Sequence, residues 1–408
     1  MLVGALAKSK NINLSSGQWL NVELENSYQK SGLDLVVCTS GSSYEELTDK
    51  NIKYVVVPHG TVSAYKCNDE NINYWKNLLE CEKPDIILVW GTEYLIGQCV
   101  LMANNRRIKS CVYIQGVMSS IAENYRGGLS DSTISRFSTI LEQLRHSTII
   151  DREKSMSLKA SQEKCTIDLV DGVIVENQWA AERYLSLNPN LRLFWNRLPI
   201  NSIFSKYSWC YNGYKKHSII TTAAGYPLKG LHFLIEALSY VKKIYPDVNL
   251  IVPGTDIVHT KGFVSKIKQS GYGKYLLKMI SHYGLECNIS FVGILTPSAY
   301  AEMMSKSEIF ISASTIENHC SALREAMSIG VPCISSKVGG VPFYAKHKEN
   351  SLLYTYYEPK ELAECIIQLF SSSQLKQHIS KNAQTTIRDM YSTNDLDSLF
   401  EIYNKLTQ

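Results

Sequence analysis

Two glutamates eight residues apart are the first side chains in this sequence that suggest chemistry. Glu317 and Glu325 lie in the segment SASTIENHCSALREAMSIGVP, residues 312–332. The pattern predicts a strand that ends near Ala313, a loop, and a helix from about Ser321 to Ile329. Because helix side chains tilt toward the helix N-terminus, Glu325 is expected to converge with Glu317 beside that end.

The chemistry that fits this arrangement is recognition of a nucleotide-sugar. A helix N-terminus offers unpaired backbone N–H groups and a positive dipole end, which favour a phosphate. Carboxylates are poor phosphate ligands but good acceptors for sugar hydroxyls. A diphosphate with a sugar on each side satisfies both requirements. The alternative is that Glu317 only caps the helix and Glu325 only forms a salt bridge, and the surrounding pattern disfavours it.

A lysine supplies the positive charge that such a ligand needs. The segment SIITTAAGYPLKGLHFLIEAL, residues 218–238, predicts a buried strand, a turn, Lys229-Gly230 and an amphipathic helix. Lys229 then follows the carboxyl end of a strand, where α/β sheets bind ligands, and provides a point charge for phosphate. Gly230 permits close backbone approach. Alone this pattern is more typical of a surface lysine, but with the glutamates it indicates a phosphate site.

Further candidates also follow predicted strands. Gly339 and Gly340 either present N–H groups to an anion or simply tighten a turn. In the first half, Gly17 within SSGQW is a candidate anion loop, and Glu93 and Gln115 are expected to face a cleft between domains. Glu93 reads equally well as a charge at a helix N-terminus.

The elements that position these residues form two α/β repeats. Short Val- and Ile-rich runs alternate with helical patterns, as in doubly wound parallel sheets. A second series of such strands and helices begins after a polar stretch near Ser205. We therefore predict domains at 1–205 and 206–392, with a helix within 393–408 packing back on the first. Residues 131–163 predict a solvated surface helix or, alternatively, a lid or membrane-facing helix. The predicted strands are 34–39, 53–58, 85–90, 111–115, 172–176, 218–223, 248–253, 289–293, 308–313 and 332–336.

Bulk composition excludes several classes. The 408 residues are 45% hydrophobic and 20% charged, which is typical of a globular protein of two or more domains. A net charge of +4 is too small for a dedicated nucleic-acid binder. The 11 cysteines form no CxxC pair or zinc spacing, which favours reduced thiols in the cytoplasm. No apolar run reaches the ~20 residues that span a bilayer, so any membrane contact is expected to be peripheral, and residues 1–10 predict a strand rather than a signal peptide.

The chain resembles glycosyltransferase family 4, whose members build cell-surface polysaccharides. Glu317 and Glu325 match the E-x7-E motif of that family, and the resemblance is sharp over 218–345 and collinear over 1–205. The other matching segments are Tyr226–His232, Ile316–Asn318, Ala326-Met327, Gly330–Pro332, Val338–Pro342, Trp90–Glu93, Ile114–Gly116 and Asn196–Leu198.

The resemblance implies a GT-B fold, with two Rossmann-like domains that face each other across a cleft, and a metal-independent reaction that retains anomeric configuration. It implies that Glu325 holds the ribose, Glu317 the donor sugar and Lys229 the diphosphate of a UDP- or GDP-linked sugar, without a further cofactor. Lys229 and Glu317 would carry catalysis. The remaining implied donor-binding residues are Gly17, Gly230, Asn318, His319, Cys320, Ser321, Gly339 and Gly340.

The implied function is sugar transfer to a glycan or an undecaprenyl-linked acceptor, in capsule, O-antigen (lipopolysaccharide) or exopolysaccharide synthesis at the cytoplasmic face of the membrane. Glu93, Gln115 and Arg197 would line the acceptor side. Three positions depart from the family pattern: Ala224 replaces an arginine, Gln115 a histidine and Phe343 an acidic residue. Arg197 or Arg324 could replace the missing charge.

Two other functions are considered. The departures favour, as the main alternative, a catalytically silent partner that binds a nucleotide-sugar for another transferase. An epimerase or phosphorylase ranks lower, because neither a cluster of acidic and histidine residues nor a pyridoxal-binding lysine stands out.

Overall fold

A computed structural model describes residues 33–49, 51–58, 67–222, 225–259, 269–392 and 398–408. The predictions for a strand within residues 1–10, for Gly17 and for Ala224 lie outside these residues. The chain divides into two compact units. The first unit contains the described residues up to Ser119 with Ser157–Pro199 and the C-terminal helix, and the second unit contains Ser120–Met156 and Ile200–Ser392.

Strands and helices alternate along most of the chain. Up to residue 195 they are β1 Val36–Gly41, β2 Glu45–Asp49, β3 Ile52–Pro58, α1 Asp69–Glu82, β4 Ile86–Trp90, α2 Leu95–Asn104, β5 Lys109–Tyr113, α3 Met118–Asn124, α4 Asp131–Phe137, α5 Ile140–Leu144, α6 Ile149–Ile167, β6 Gly172–Val175, α7 Gln178–Leu187 and β7 Arg192–Trp195. After residue 195 the elements are β8 Lys215–Thr221, α8 Leu231–Val241, β9 Asn249–Pro253, α9 Gly271–His282, β10 Ile289–Gly293, α10 Pro297–Ser305, β11 Ser307–Ser312, α11 Ser321–Ile329, β12 Cys333–Ser336, β13 Leu352–Tyr354, α12 Pro359–Ser371, α13 Ser373–Ser392 and α14 Leu399–Thr407.

The first unit contains a parallel four-stranded sheet in the order β4-β5-β6-β7 and a three-stranded sheet in the order β1-β3-β2. β2 is antiparallel to β3 and was not among the predicted strands. Its sequence alternates half-buried and exposed residues, as expected for a strand with one solvated face. Helix α14 packs Leu399, Ile402 and Leu406 into a buried cluster with β5 and β6.

The second unit is built on one parallel sheet in the order β10-β9-β8-β11-β12-β13. The order reverses between β8 and β11, because β9 follows β8 on one side and β12 follows β11 on the other. Such a reversal opens a crevice at the carboxyl ends of the two strands. β11 is buried along its whole length, and the Thr221 hydroxyl at the end of β8 donates to the Ile311 carbonyl at 2.7 Å.

Residues 120–156 belong to the second unit, whereas the predicted boundary placed them in the first domain. Leu129 and Ile134 join the core cluster that β8, β9 and β11 build, which explains the assignment. The region 131–163 also forms three helices instead of one. Thr139 and Glu142 form a capping box that starts α5, and Thr148 pairs in the same way with Asp151 before α6.

No helix of the described residues is long and apolar enough to cross a membrane.

A buried ion pair supports the end of the second sheet that lies away from the strand-end loops. Lys376 contacts Glu308 at the start of β11, and the side chains are only 4% and 2% exposed. We expect Lys376→Met to lower the free energy of unfolding by about 3–5 kcal/mol, because it leaves the Glu308 carboxylate buried without its partner. Urea denaturation measures this. Lys306→Met is the matched control, since its pair with Glu302 is 66% and 52% exposed and is worth at most about 1 kcal/mol. Equal losses in both variants would contradict the assignment.

Candidate functional site

The loops that follow β8 and β11 carry two of the charged residues that the sequence singled out, Lys229 and Glu317. After β8 the chain forms a short 3-10 turn, Pro227–Lys229, and then enters α8. After β11 it forms the loop that contains Glu317 and then enters α11. Because β8 and β11 are neighbours, both loops lie at the reversal of strand order.

Lys229 and Glu317 form an ion pair between these loops. Lys229 Nζ donates to Glu317 Oε1 at 2.6 Å, and the side chains are 22% and 14% exposed. Burial by itself lowers the pKa of Lys229, but the Glu317 carboxylate outweighs it and holds this pKa above its ordinary value. The ammonium group therefore stays charged, and its remaining two N–H bonds can serve a second anion.

Gly230 brings the two loops into direct backbone contact. Its φ is +67°, and a Cβ at this position would lie 1.9 Å from the Ala313 carbonyl oxygen. The Thr315 N–H donates to the Leu228 carbonyl at 2.8 Å beside it. A side chain at residue 230 would thus push the Lys229 turn away from the Glu317 loop.

The Gly339-Gly340 turn packs against the other side of the Glu317 loop. The Gly340 N–H donates to the Glu317 carbonyl at 3.1 Å. Gly339 has a φ of +52°, and a Cβ there would lie 1.9 Å from the same carbonyl oxygen. Of the two interpretations open from the sequence, this geometry favours a tight turn that supports Glu317, since the Gly340 N–H is used within the protein.

The N-terminus of α11 begins directly after the Glu317 loop. Cys320 is its N-cap residue and makes no side-chain capping bond, while the Leu323 and Arg324 N–H groups donate to the Cys320 carbonyl. The N–H groups of the first turn, at Ser321 and Ala322, point out of the helix end and suit an anion. Asn318 and His319, in the loop before this helix, are buried.

Arg324 anchors this helix end. Its side chain is 2% exposed, and it donates to the His319 carbonyl at 3.1 Å and to Ser321 Oγ at 3.3 Å. It also contacts the Tyr391 hydroxyl. With these bonds Arg324 holds the loop in place, which argues against its use as a replacement for the arginine that Ala224 lacks.

Glu325 is half-buried one turn into α11. Burial raises its pKa to about 7, although the neighbouring Arg324 acts in the opposite direction. Burial and the Glu325 charge raise the pKa of Tyr300, whose hydroxyl donates to the Thr221 carbonyl at 3.3 Å. Glu325 is thus a carboxyl group poised between its charged and neutral forms at physiological pH.

The first unit carries its own group of acidic side chains at strand ends. Glu163 is completely buried, and its Oε1 accepts from the Thr92 and Tyr184 hydroxyls at 2.6 Å each and from the Met118 N–H at 3.3 Å. Burial raises the pKa of Glu163 and of Glu93, and each carboxylate adjoins the loop after β4. Sequence reasoning missed Glu163, because a single acidic residue in a polar helix gives no signal.

The other predicted residues of the first unit also follow strands of its parallel sheet. Gln115 is half-buried after β5, and Arg197 follows β7. They belong to the first unit, whereas Lys229, Gly230, Glu317 and Glu325 belong to the second. Among the described residues no cluster of histidine, cysteine and acidic side chains could hold a metal ion.

Comparison with known proteins finds a likeness that lies within the second unit. Residues 213–386 match the model of the family described as glycosyl transferases group 1, and this range includes the whole site described above from Lys229 to Gly340. A curated relative, N-acetyl-alpha-D-glucosaminyl L-malate synthase of Bacillus anthracis, is 25% identical over 31% of this chain and 32% of its own length. The curated relatives are matched over less than half of their length.

Solved structures extend the likeness to the whole fold. Sucrose-phosphate synthase from Thermosynechococcus elongatus is 14% identical and superposes over 96% of this chain and 92% of its own with a TM-score of 0.70. Anabaena HepE in complex with UDP is 18% identical over 88% of this chain and 86% of its own, with a TM-score of 0.58. The chain therefore has the GT-B fold of two Rossmann-like α/β units, which confirms the predicted fold class.

An alanine at Gly230 would suffer both left-handed backbone strain and a clash with a neighbouring loop. Comparison with Gly284 separates these two costs. Gly284 has a φ of +62°, and no atom of the described residues outside its own neighbourhood lies within 4 Å of where a Cβ would stand, whereas Gly230 has the Ala313 carbonyl at 1.9 Å. We expect Gly284→Ala to cost about 1–2 kcal/mol of stability from left-handed strain alone. Gly230→Ala should cost more, because the loops must also separate. Urea denaturation of both variants measures the difference, and equal losses would mean that the contact is unimportant.

Proposed function

We propose that this protein is a retaining glycosyltransferase that moves a sugar from a UDP- or GDP-linked donor to a glycan or a lipid-linked glycan. The observation that carries the proposal is the Lys229–Glu317 pair at the reversal of strand order, next to a helix whose N-cap residue makes no side-chain capping bond. The match to group 1 glycosyl transferases over residues 213–386 supports it.

Each part of the donor has a partner of suitable chemistry in the second unit. The diphosphate carries the negative charge and is placed between the Lys229 ammonium group and the N–H groups that begin α11. Glu317 accepts hydrogen bonds from donor-sugar hydroxyls, and Glu325 accepts them from the ribose. Asn318, His319, Cys320 and Ser321 shape this cradle, while Gly230, Gly339 and Gly340 set its backbone.

The proposed reaction needs no metal ion and no protein nucleophile. The bond between the sugar anomeric carbon and the diphosphate oxygen breaks, and a bond to the acceptor oxygen forms on the same face of the sugar. The proton of the acceptor hydroxyl passes to the departing phosphate oxygen. Lys229 and the helix end stabilise the negative charge that develops on the leaving diphosphate, which is where fixed positive groups contribute most to rate.

The first unit is the proposed acceptor side. Glu93, Gln115 and Arg197 lie at its strand ends, and a carboxyl group with a raised pKa such as Glu93 suits sugar hydroxyls better than phosphates. An undecaprenyl-linked acceptor would bring the protein to the inner face of the plasma membrane as a peripheral protein. Capsule, O-antigen and exopolysaccharide synthesis are the pathways that use such acceptors.

One observation favours the alternative of a silent nucleotide-sugar-binding partner. Arg324 is engaged by His319, Ser321 and Tyr391, so it does not replace the charge absent at Ala224. Calorimetry with UDP, GDP and their sugars, followed by a product assay, separates the two functions. Binding without transfer to any glycan or lipid-linked acceptor would support the silent partner.

Removal of either member of the pair should reduce transfer. For Lys229→Ala and Glu317→Ala we expect kcat to fall about 100-fold or more, because each group acts on charge or contacts that strengthen in the transition state. Donor turnover measures this. Lys306→Ala is the control, since it removes a lysine from an exposed Lys–Glu pair of the same unit. Full activity in both site variants would contradict the assignment.

Donor affinity should depend on pH through Glu325. The ribose hydroxyls donate to the ionised carboxylate, so binding favours the charged form. With a pKa of about 7, lowering the pH from 8 to 6 reduces the ionised fraction and should weaken binding about tenfold. Calorimetry with an intact UDP- or GDP-linked sugar tests this, because its phosphates do not titrate in that range. Glu325→Gln should bind weakly with a flat profile. An unchanged slope in this variant would place the titrating group elsewhere.

A further inference from the structure

A short segment from the first half of the sequence lies against both loops of the candidate site. We call residues 124–129 the strap; it connects α3 to α4 and belongs to the second unit. We propose that the strap positions Lys229 and Glu317 relative to each other, with Gly127 and His232 as the positioning residues. This inference rests on the proposed function for its kinetic consequence only.

The strap contacts the Glu317 loop through Thr315. The Thr315 hydroxyl donates to the Asn124 carbonyl at 3.2 Å, and its N–H donates to the Leu228 carbonyl at 2.8 Å. Thr315 therefore joins the strap and the Lys229 turn through one residue, two positions before Glu317.

The strap contacts the Lys229 turn through Gly127. This glycine is buried with a φ of +57°, and a Cβ there would lie 2.5 Å from the Pro227 carbonyl oxygen. The next residue, Gly128, has a φ of +74° and lies against the Tyr357 ring, where a Cβ would be 1.9 Å from a ring carbon. Two successive left-handed glycines let the backbone pass closely over the turn that presents Lys229.

His232 holds the strap through a hydrogen bond to its backbone. The ring is 4% exposed, its Nε2 lies 2.7 Å from the Gly127 carbonyl and its Nδ1 lies 3.0 Å from the Tyr272 hydroxyl. Burial lowers the pKa of His232 to about 4, so the ring is neutral near pH 7. A carbonyl can only accept, so Nε2 carries the proton and Nδ1 accepts from Tyr272.

The last residue of the strap and the chain that follows it are anchored in the core. Leu129 and Ile134 are buried in the core cluster of the second unit, and the Phe137 ring meets Tyr275 with centroids 5.2 Å apart. Both Glu142 carboxylate oxygens accept from the Gly271 N–H at 3.0 Å at the start of α9. The strap is thus held at one end by this packing and contacts the two site loops at the other.

This arrangement separates two properties of the site. Within the candidate site the strap contacts Pro227 and Thr315. Glu325 lies in α11, and Arg324 anchors the first turn of that helix. Loosening the strap should therefore displace the Lys229–Glu317 pair without removing the ribose contact. A misplacement of about 1 Å can cost on the order of 100-fold in rate, while affinity for UMP or GMP, which lack the outer phosphate of the donor diphosphate, should change little.

The test uses His232→Leu, which removes the donor to the strap, and Gly127→Ala, which places a methyl group against Pro227. His232→Gln is the conservative variant, because its amide N–H can still donate to the Gly127 carbonyl. Gly284→Ala controls for left-handed strain away from other atoms. Three quantities are measured in the full chain: kcat, the dissociation constant of UMP or GMP, and the hydrogen-exchange rate of the Thr315 amide.

We expect His232→Leu and Gly127→Ala to lower kcat about tenfold or more, to change the nucleotide dissociation constant less than threefold, and to speed Thr315 exchange. His232→Gln should recover most of each effect. Unchanged Thr315 exchange in both variants would overturn the proposal. Equal losses of nucleotide affinity and kcat would also overturn it, since they indicate general destabilisation. If the wild type transfers no sugar, the proposed function fails, while exchange and nucleotide binding still decide the role of the strap.

Discussion

Lys229 Nζ and Glu317 Oε1 are 2.6 Å apart although 88 residues separate them in the chain. They meet because β8 and β11 are adjacent while their crossovers leave in opposite directions. The reversal exposes two strand ends side by side, so the loops that follow them are neighbours. The other features of the second-unit site depend on this placement, because the glycines and the strap contact these two loops and α11 begins where one of them ends.

The pair itself adds little to stability. Desolvating a lysine and a carboxylate offsets most of their attraction, and side chains that are 22% and 14% exposed are only partly removed from water. The backbone around them also depends on glycine, since Gly230 and Gly339 both adopt a positive φ against a neighbouring carbonyl, where a side chain would clash. A protein that only needed a stable sheet would not require such close contacts. The arrangement instead holds charged groups in fixed positions, as the proposed binding of a charged ligand would require.

Much of the fold could be predicted from the sequence, because buried parallel strands leave continuous apolar runs. The predicted helix 321–329 coincides with α11, and Lys229 and Glu317 follow strands as expected. The region 120–156 was assigned to the wrong half, because alternation of strands and helices gives no information on which sheet a polar helical segment packs against. The capping boxes at Thr139 and Thr148 mark the starts of the second and third helices of this region and could have been recognised in the sequence. The roles of His232 and Glu163 depend on contacts between distant segments, which local patterns do not reveal.

The two units place different chemistry at their strand ends. In the second unit a lysine and a helix N-terminus favour an anion, with carboxylates at the edges. In the first unit Glu163 and Glu93 both have a raised pKa, and Glu163 Oε1 is already satisfied by Thr92, Tyr184 and Met118. Glu163 therefore orders the loops after β4 and β5, while Glu93 stands in one of those loops. Carboxyl groups of this kind repel phosphates and accept from hydroxyls. The contrast is what the proposed function requires, with the diphosphate bound by the second unit and a hydroxyl-bearing acceptor by the first.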